Sequence, residues 1–326
     1  MEYSGLNFIS FSDPPDEYDF GIVVVTVSKA DFIARILDSI ARSNFDLTRV
    51  KIVVVDNGPI PSQEVKLLCQ ARAHYRWLGA GINVSKARNV GWTFSLDCTY
   101  VLFVDDDNEF LPQSLNAAWK LLEISPKVGA VAPVSLLGAT QDIWCGGVTR
   151  SSWSGRTRFI RALPIATPKE GETSWATIDL PNCFAVRTKI LVSIDGFDDV
   201  AFPMHREEAD LAMRIRRLGW ELVVQRDFIV RHHTTETLTL KAEVERLTQK
   251  HGRERLEYWA RARPFFHRRH SSGIERLLVL WIGIPIWLLL VIIETLRSKK
   301  LDRLSALGSI VRGIYHGYHD HISRGS

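Results

Sequence analysis

The apolar run Tyr100-Val101-Leu102-Phe103-Val104 ends in three aspartates, Asp105, Asp106 and Asp107. Its length and its β-branched and aromatic content predict a buried strand. Carboxylates set side by side there repel one another unless a cation offsets the charge. Two of them could hold Mg²⁺ or Mn²⁺ and leave positions for water and phosphate oxygens; an exposed acidic turn is the other reading of the triplet. Similar runs occur twice earlier. Residues 21–27 are continuously apolar up to Thr26, which predicts a strand buried on both faces, as in a parallel sheet. Residues 50–55 close on Asp56-Asn57-Gly58-Pro59. Between these runs, Phe32, Ile33, Ile36, Leu37 and Ile40 recur at helical spacing over 29–42, and further helices are predicted over 62–74 and 84–96. Strand, helix, strand, helix, helix, strand predicts a doubly wound α/β domain. Such a sheet binds ligands at the C-terminal ends of its strands, so Thr26, Asp56 and the three aspartates are expected to line one crevice.

The chain has 326 residues, 46% hydrophobic and 24% charged, enough for a substantial core and one or two domains. Cys69, Cys98, Cys145 and Cys183 are widely spaced and form no CxxC pair, which predicts neither a disulfide framework nor a zinc site and suggests a reducing compartment. The N-terminus, Met1-Glu2-Tyr3-Ser4, does not read as a signal peptide. The net charge of +4 is uneven: basic clusters such as 267–270 and 297–300 flank apolar sequence, which points to anionic lipid rather than nucleic acid.

Further along, Pro112 opens a predicted helix to about Ile124, and residues 128–133 read as a short strand. Residues 135–175 are Gly/Ser/Thr-rich and irregular, the mark of a binding loop. An amphipathic helix is predicted over 206–218, with Asp210 and Arg214 spaced to pair, and a charged helix over 236–263. Residues 277–293 carry no charge. At 1.5 Å per residue they span about 25 Å, a little short of a hydrocarbon core of about 30 Å. A spanning helix, an interfacial or re-entrant anchor, and a core or oligomer helix are three readings of this segment. The expected organisation is a lead-in over 1–19, a catalytic domain over 20–235, a charged helical extension over 236–273, a membrane-associated segment over 274–297 and an amphipathic tail over 298–326.

Four constellations carry chemistry. The aspartate triplet is the first, joined by Asp56, which could accept from the N–H of a nucleobase or cap its own turn. The helix start Asn83-Val84-Ser85-Lys86-Ala87-Arg88-Asn89 is rich in donors that suit a phosphate or nucleotide. His205-Arg206-Glu207-Glu208-Ala209-Asp210 puts three acids in a first helical turn; the helix dipole favours them whatever the function, and one could act as a general base. Finally, His232 or His233 could complete a metal shell.

In order and spacing, these motifs resemble family 2 of the inverting, nucleotide-sugar-dependent glycosyltransferases. The resemblance rests on the Thr26 strand, Val55-Asp56-Asn57-Gly58, 85–91, Phe103-Val104-Asp105-Asp106-Asp107, Gly196-Phe197-Asp198, 207–211 with Arg214 and Gly219, and the stretch from Tyr258 to His270. It covers roughly three quarters of the chain. It implies a GT-A fold, a doubly wound mixed sheet flanked by helices, here with a C-terminal helical, membrane-associated extension. It also implies that Thr26, Asp56, Arg88, Asn89, Asp105 and Asp106 bind a nucleotide sugar, UDP- or GDP-linked. Asp107, Asp105 and His232 would bind Mn²⁺ or Mg²⁺, and Asn182 and His233 would lie on the acceptor side. Glu208 matches the position usually filled by an aspartate base; being one methylene longer, it sits further back or leaves the role to Glu207. Asp106, pointing the other way in an extended chain, is expected to lend structural support. The implied reaction is a metal-assisted single displacement onto a hydroxyl or phosphate of a glycan or lipid-linked acceptor, with the catalytic domain cytoplasmic and membrane-associated. A homo-oligomer is a further expectation. The rival readings are a nucleotidyltransferase and a non-catalytic, membrane-docked nucleotide-sugar binding protein.

Overall fold

A computed structural model describes residues 18–79, 83–138, 140–162, 173–233, 240–298 and 302–321. The expected lead-in over 1–17 and the end of the tail over 322–326 lie outside the described residues. In chain order the elements are β1 (Tyr18–Thr26), α1 (Ala30–Ala41), β2 (Val50–Asp56), α2 (Gln63–Cys69), β3 (His74–Trp77), α3 (Val84–Thr93), β4 (Cys98–Asp105), β5 (Asn108–Phe110) and α4 (Ser114–Ile124). There follow β6 (Val128–Leu137), β7 (Ile143–Cys145), β8 (Val148–Arg150), β9 (Thr157–Phe159), β10 (Ser174–Ala176), β11 (Cys183–Arg187), α5 (Thr188–Ile194), α6 (Glu207–Arg217), β12 (Glu221–His232) and α7 (Leu240–His270). The chain closes with α8 (Gly273–Arg297) and α9 (Arg303–His319).

The main sheet runs β10-β12-β6-β11-β4-β1-β2-β3. Neighbours β4, β1, β2 and β3 are parallel, as are β6 and β12, while β11 runs antiparallel between β4 and β6. The period of two along β1 makes two cores. Phe20, Ile22 and Val24 face Ile33, Ile36 and Leu37 of α1, whereas Val23 joins Val101, Phe103, Leu211 and Ile215 on the other face. Continuous apolarity in β1 thus reflects a helix layer on each side. Helix α3 lies close against β1 because Gly91 has no side chain; a Cβ there would come within 2.1 Å of Val23 Cγ1.

The sequence reading differs in three places. The helix expected over 62–74 stops at Cys69, and His74–Trp77 forms an edge strand whose exposed, polar residues carry little apolar signal. The reversed strand β11 and helix α5 lay outside the predicted elements. The irregular stretch 135–175 contains β7, β8 and β9 and runs into β10.

Helix α7 links the two parts of the chain. Its Phe265 and Phe266 pack on Phe202 and Ala209 beside α6, while Val244, Leu256 and Ala260 pack on Val291 of α8 and Ile310 of α9. Helix α8 is long and apolar enough to cross a membrane, with a mean hydropathy of 2.6 over a window only 28% buried. It stays continuous through Pro285 because a π-helical turn, Val279–Gly283, precedes the proline. Its exposure is one-sided: Leu277, Trp281, Ile282, Ile286, Leu289 and Leu290 face outward, while Val279, Leu280, Ile284 and Val291 are buried. Leu304, Val311 and Tyr315 of α9 are exposed as well.

Candidate active site

The guanidinium of Arg88, only 3% exposed, joins three carboxylates from two other elements. It lies 2.9 Å from Asp105 at the end of β4, 2.8 Å from Glu208 and 3.3 Å from Glu207 at the start of α6. Burial opposes its charge, but Glu208, Asp105 and Glu207 hold it firmly protonated. The carboxylates are not equivalent. Burial, then the adjacent Glu208, push Glu207 up to about 8, with Arg88 pulling the other way. Burial likewise pushes Asp105 up to about 6, Arg88 opposing and Asp107 and Glu208 adding. Glu207 Oε2 is buried without a hydrogen-bond partner, which fits a carboxyl that keeps its proton at neutral pH.

The other two aspartates diverge. Asp106 turns to the far side, accepting from Thr26 Oγ1 at 2.7 Å and from Lys29 Nζ at 3.2 Å. Asp107 Oδ2 stands 3.3 Å from His232 Nε2, and its Oδ1 accepts from Asn108 Nδ2 at 3.3 Å. Burial raises the Asp107 carboxyl, but the bond to His232 and its charge hold it below the ordinary range. Asn182 Nδ2 lies 3.0 Å from the same His232 nitrogen, and the ring of Trp144 packs edge-on against the imidazole at 4.5 Å.

Of the remaining expected residues, several spend their polar groups within the protein. Asp56 is fully buried and accepts from Ser28 Oγ, Tyr75 OH and Gly58 N at 2.9, 2.8 and 3.0 Å. Asn89 donates to the Phe197 carbonyl at 2.8 Å and accepts from Phe197 N at 2.9 Å. It therefore anchors the turn at Gly196, whose φ of +60° and close approach to Trp92 demand a glycine. Arg88, expected beside base or diphosphate, instead bridges carboxylates. His233 turns to Glu109 at 2.9 Å. The expected metal trio divides into Asp107 with His232 and Asp105 with Arg88, and among the described residues no three His, Cys, Asp or Glu side chains close into a nest.

Residues 21–168 match the sequence profile described as "Glycosyl transferase family 2". That stretch is similar to a family 2 glycosyltransferase domain. Two solved structures share the fold. One is described as GalNAc-T7 with UDP, GalNAc and Mn²⁺; the TM-score is 0.59 at 13% identity over 87% of this chain and 58% of that one. The other is the mannosyltransferase PcManGT from Pyrobaculum calidifontis with GDP-Man and Mn²⁺, at 0.56 and 14% identity over 94% of this chain and 89% of that one. At these identities the likeness is of fold, and that fold is GT-A. The chain spans little more than half the length of the first. No curated protein matches the sequence.

A cleft of about 470 Å³ opens in front of these carboxylates. Arg88, Asp105, Asn182, Glu207 and Glu208 are among its lining residues. Asp179, paired with Arg150 at 3.2 Å and pushed up to about 6 by burial, adds a further carboxyl. Its lining also includes Arg206, Glu243, Arg246, Arg255, Trp259 and Arg263, and Trp287 of α8. Sequence reasoning missed this second wall. Arg255, Trp259 and Arg263 do recur at four-residue spacing, but on a charged helix that pattern is indistinguishable from a solvated face.

Proposed function

We propose that the protein is an inverting glycosyltransferase that moves a sugar from a nucleoside-diphosphate sugar to an acceptor hydroxyl, with Glu208 as the base. The observation that carries this reading is the single guanidinium that fixes Glu208 at the wall of the cleft beside Asp105. The acceptor oxygen attacks C1, the bond from C1 to the diphosphate oxygen breaks, and its electron pair leaves with the nucleoside diphosphate. The hydroxyl proton passes to Glu208. Attack opposite the leaving group inverts the configuration. Glu207, buried and proton-bearing, supports the turn and leaves the base role to its neighbour, since environments that push two carboxyls apart separate their roles.

Asp107 and His232 suit a divalent cation, Mn²⁺ or Mg²⁺. A carboxylate oxygen and an imidazole nitrogen already approach within 3.3 Å, and Asn108 steadies the second carboxylate oxygen. His232 Nδ1 is buried without a hydrogen-bond partner among the described residues, so it can carry the ring proton when Nε2, now beside Asn182 Nδ2 at 3.0 Å, turns its lone pair to an ion. When bound there, such an ion offsets charge on the departing diphosphate. Both fold neighbours were solved with Mn²⁺ and a nucleotide, UDP or GDP-Man, which supports this reading.

The one-sided apolar face of α8, continued by α9, supports docking on a membrane surface, with the catalytic domain on the cytoplasmic side where nucleotide sugars are made. The inner face of α8, Val279, Leu280, Ile284 and Val291, is equally apolar but is taken up by α7 and α9, which leaves the outer face for lipid. The deciding experiment is transfer by Glu208→Gln. Loss of about 10²- to 10⁴-fold in kcat, with nucleotide-diphosphate affinity kept within a few fold in calorimetry, is expected; full activity rejects the assignment.

A further inference from the structure

The basic lining of the cleft differs from the rest of the interior. Elsewhere arginines at element junctions are paired: Arg150 with Asp179, Arg214 with Asp210, Arg261 with Asp320 and Arg269 with Asp198. Arg206, Arg246, Arg255 and Arg263 converge on one cavity, and none forms an ion pair with a carboxylate among the described residues. Nε of Arg255 and of Arg263 is buried without a hydrogen-bond partner. Glu243, the acid that faces Arg246, Arg263 and Arg206, has Oε1 engaged by Trp259 Nε1 at 3.1 Å. Unpaired guanidinium groups in a confined space cost stability unless an anion enters.

Two of the four are held by stacking on aromatic rings. Arg206 stacks on Phe266 at 5.1 Å and Arg263 on Trp287 at 4.8 Å, an arrangement that fixes the plane of the fork; one terminal nitrogen of Arg263 donates to the Ser154 carbonyl at 3.4 Å, while its Nε stays without a partner. Arg206 also follows a strained turn. His205 and Arg206 are both left-handed, at φ 63° and 66°, though neither is glycine, and strain of this kind concentrates at ligand sites. Burial, followed by Arg263 and Arg150, pushes Arg206 down to about 9, and burial pushes Arg263 down to about 10. A bound anion would relieve both.

The same wall contains Trp287, which belongs to α8, the helix with the outward apolar face. The cavity therefore brings together a carboxylate, guanidinium groups with no ion pair among the described residues, and the apolar helix. We infer that the acceptor is a lipid-linked phosphate ester. Its phosphate lies among Arg206, Arg246, Arg255 and Arg263, its hydroxyl reaches Glu208, and its apolar tail leaves past Trp287 along α8. Bidentate recognition of phosphate is the chemistry that guanidinium groups perform best. This assignment rests on the reading of Glu208 as the base, because that carboxylate requires a hydroxyl at the opposite end.

The test uses the full chain with phosphatidylcholine vesicles that are plain, doped with a long-chain polyprenyl phosphate, or doped with the matching polyprenol. Flotation binding to the phosphate-doped vesicles is expected to exceed binding to the alcohol-doped ones by about tenfold or more. Inorganic phosphate should compete only weakly. The variant Arg255→Gln/Arg263→Gln should lose the preference and still float with plain vesicles; Arg246→Gln, at an exposed position, should weaken the preference with no risk to folding. Equal binding to both doped vesicles overturns the inference. A preference that survives the double variant removes the arginines from it, and full competition by inorganic phosphate removes the lipid. If the preference appears while no nucleotide sugar binds with Mn²⁺, the phosphate site stands and the glycosyl-transfer reading of Glu208 fails.

Discussion

Arg88 holds three carboxylates apart with one charge, and its removal sets the largest effect expected from a single side chain. Arg88→Met would leave the buried Glu207 and the partly exposed Asp105 and Glu208 crowded together without their cation, a loss that thermal unfolding should read as a fall in midpoint. Arg88→Lys keeps the charge but cannot span three acids, and should retain stability better than activity. Glu207→Gln should cost less than about tenfold in kcat, since the amide mimics a carboxyl that already carries its proton, whereas Glu208→Gln should nearly abolish turnover. Steady-state rates at neutral pH compare the two directly; a larger loss at Glu207 would exchange the roles. Similarly, Asp106 is engaged by Thr26 and Lys29, so Asp106→Asn should impair activity less than Asp107→Asn.

Among the elements, α7 is the one whose surroundings make testable demands. His267, fully buried within it, is pushed down to about 2 by burial and then by Arg206, Arg150 and Arg263. Its folded value lies below the ordinary 6.5, so below that pH the unfolded chain takes up a proton that the folded chain refuses. Stability is full above pH 6.5 and falls as the pH drops, by about 1.4 kcal/mol per pH unit for this imidazole. Urea midpoints between pH 7 and pH 5 should show the slope, and His267→Gln should reduce it by this imidazole's share, leaving that of His205, which burial pushes down to about 3. Helix α9 packs tightly on α7 at Gly313, where a Cβ would lie 2.3 Å from the Glu257 carbonyl. Gly313→Leu should therefore cost about 1–3 kcal/mol through overpacking, seen as a lower melting temperature. The sequence made some of this legible and hid the rest for physical reasons. Strands β1, β2 and β4 announce themselves because both of their faces are buried, and α6 does so through its stripe of Leu211 and Ile215. Strand β3 is an exposed edge, and β11 has only five residues, too short for periodicity to act on. The aspartates and Glu208 stand out as acids at strand and helix ends. What Asp56 and Asn89 actually touch depends on Ser28, Tyr75 and Phe197, whose approach no local pattern encodes. The arginine wall was invisible because it forms only when α7 folds back over α6.

At the scale of the whole molecule, the C-terminal helices serve both as membrane-facing surface and as the far wall of the cleft. Replacing Trp281 and Leu289 on the outward face of α8 with glutamate should reduce flotation with anionic vesicles by about tenfold or more and leave nucleotide-diphosphate binding intact. Unchanged flotation would put the membrane contact elsewhere. The cleft itself has a further property. Asp105, Glu208 and Asp179 share its lining with Arg206, Arg246, Arg255 and Arg263. Charges of both signs in a low-dielectric chamber shape a field that acts on a ligand before any contact forms. A molecule with an anionic middle and a neutral, hydroxyl-bearing head is turned to enter head first towards the carboxylates, because the reverse pose drives its charge against theirs. Orientation is thereby selected during approach, and added salt, which screens that field, should slow productive entry more than it weakens the contacts made once the ligand is seated.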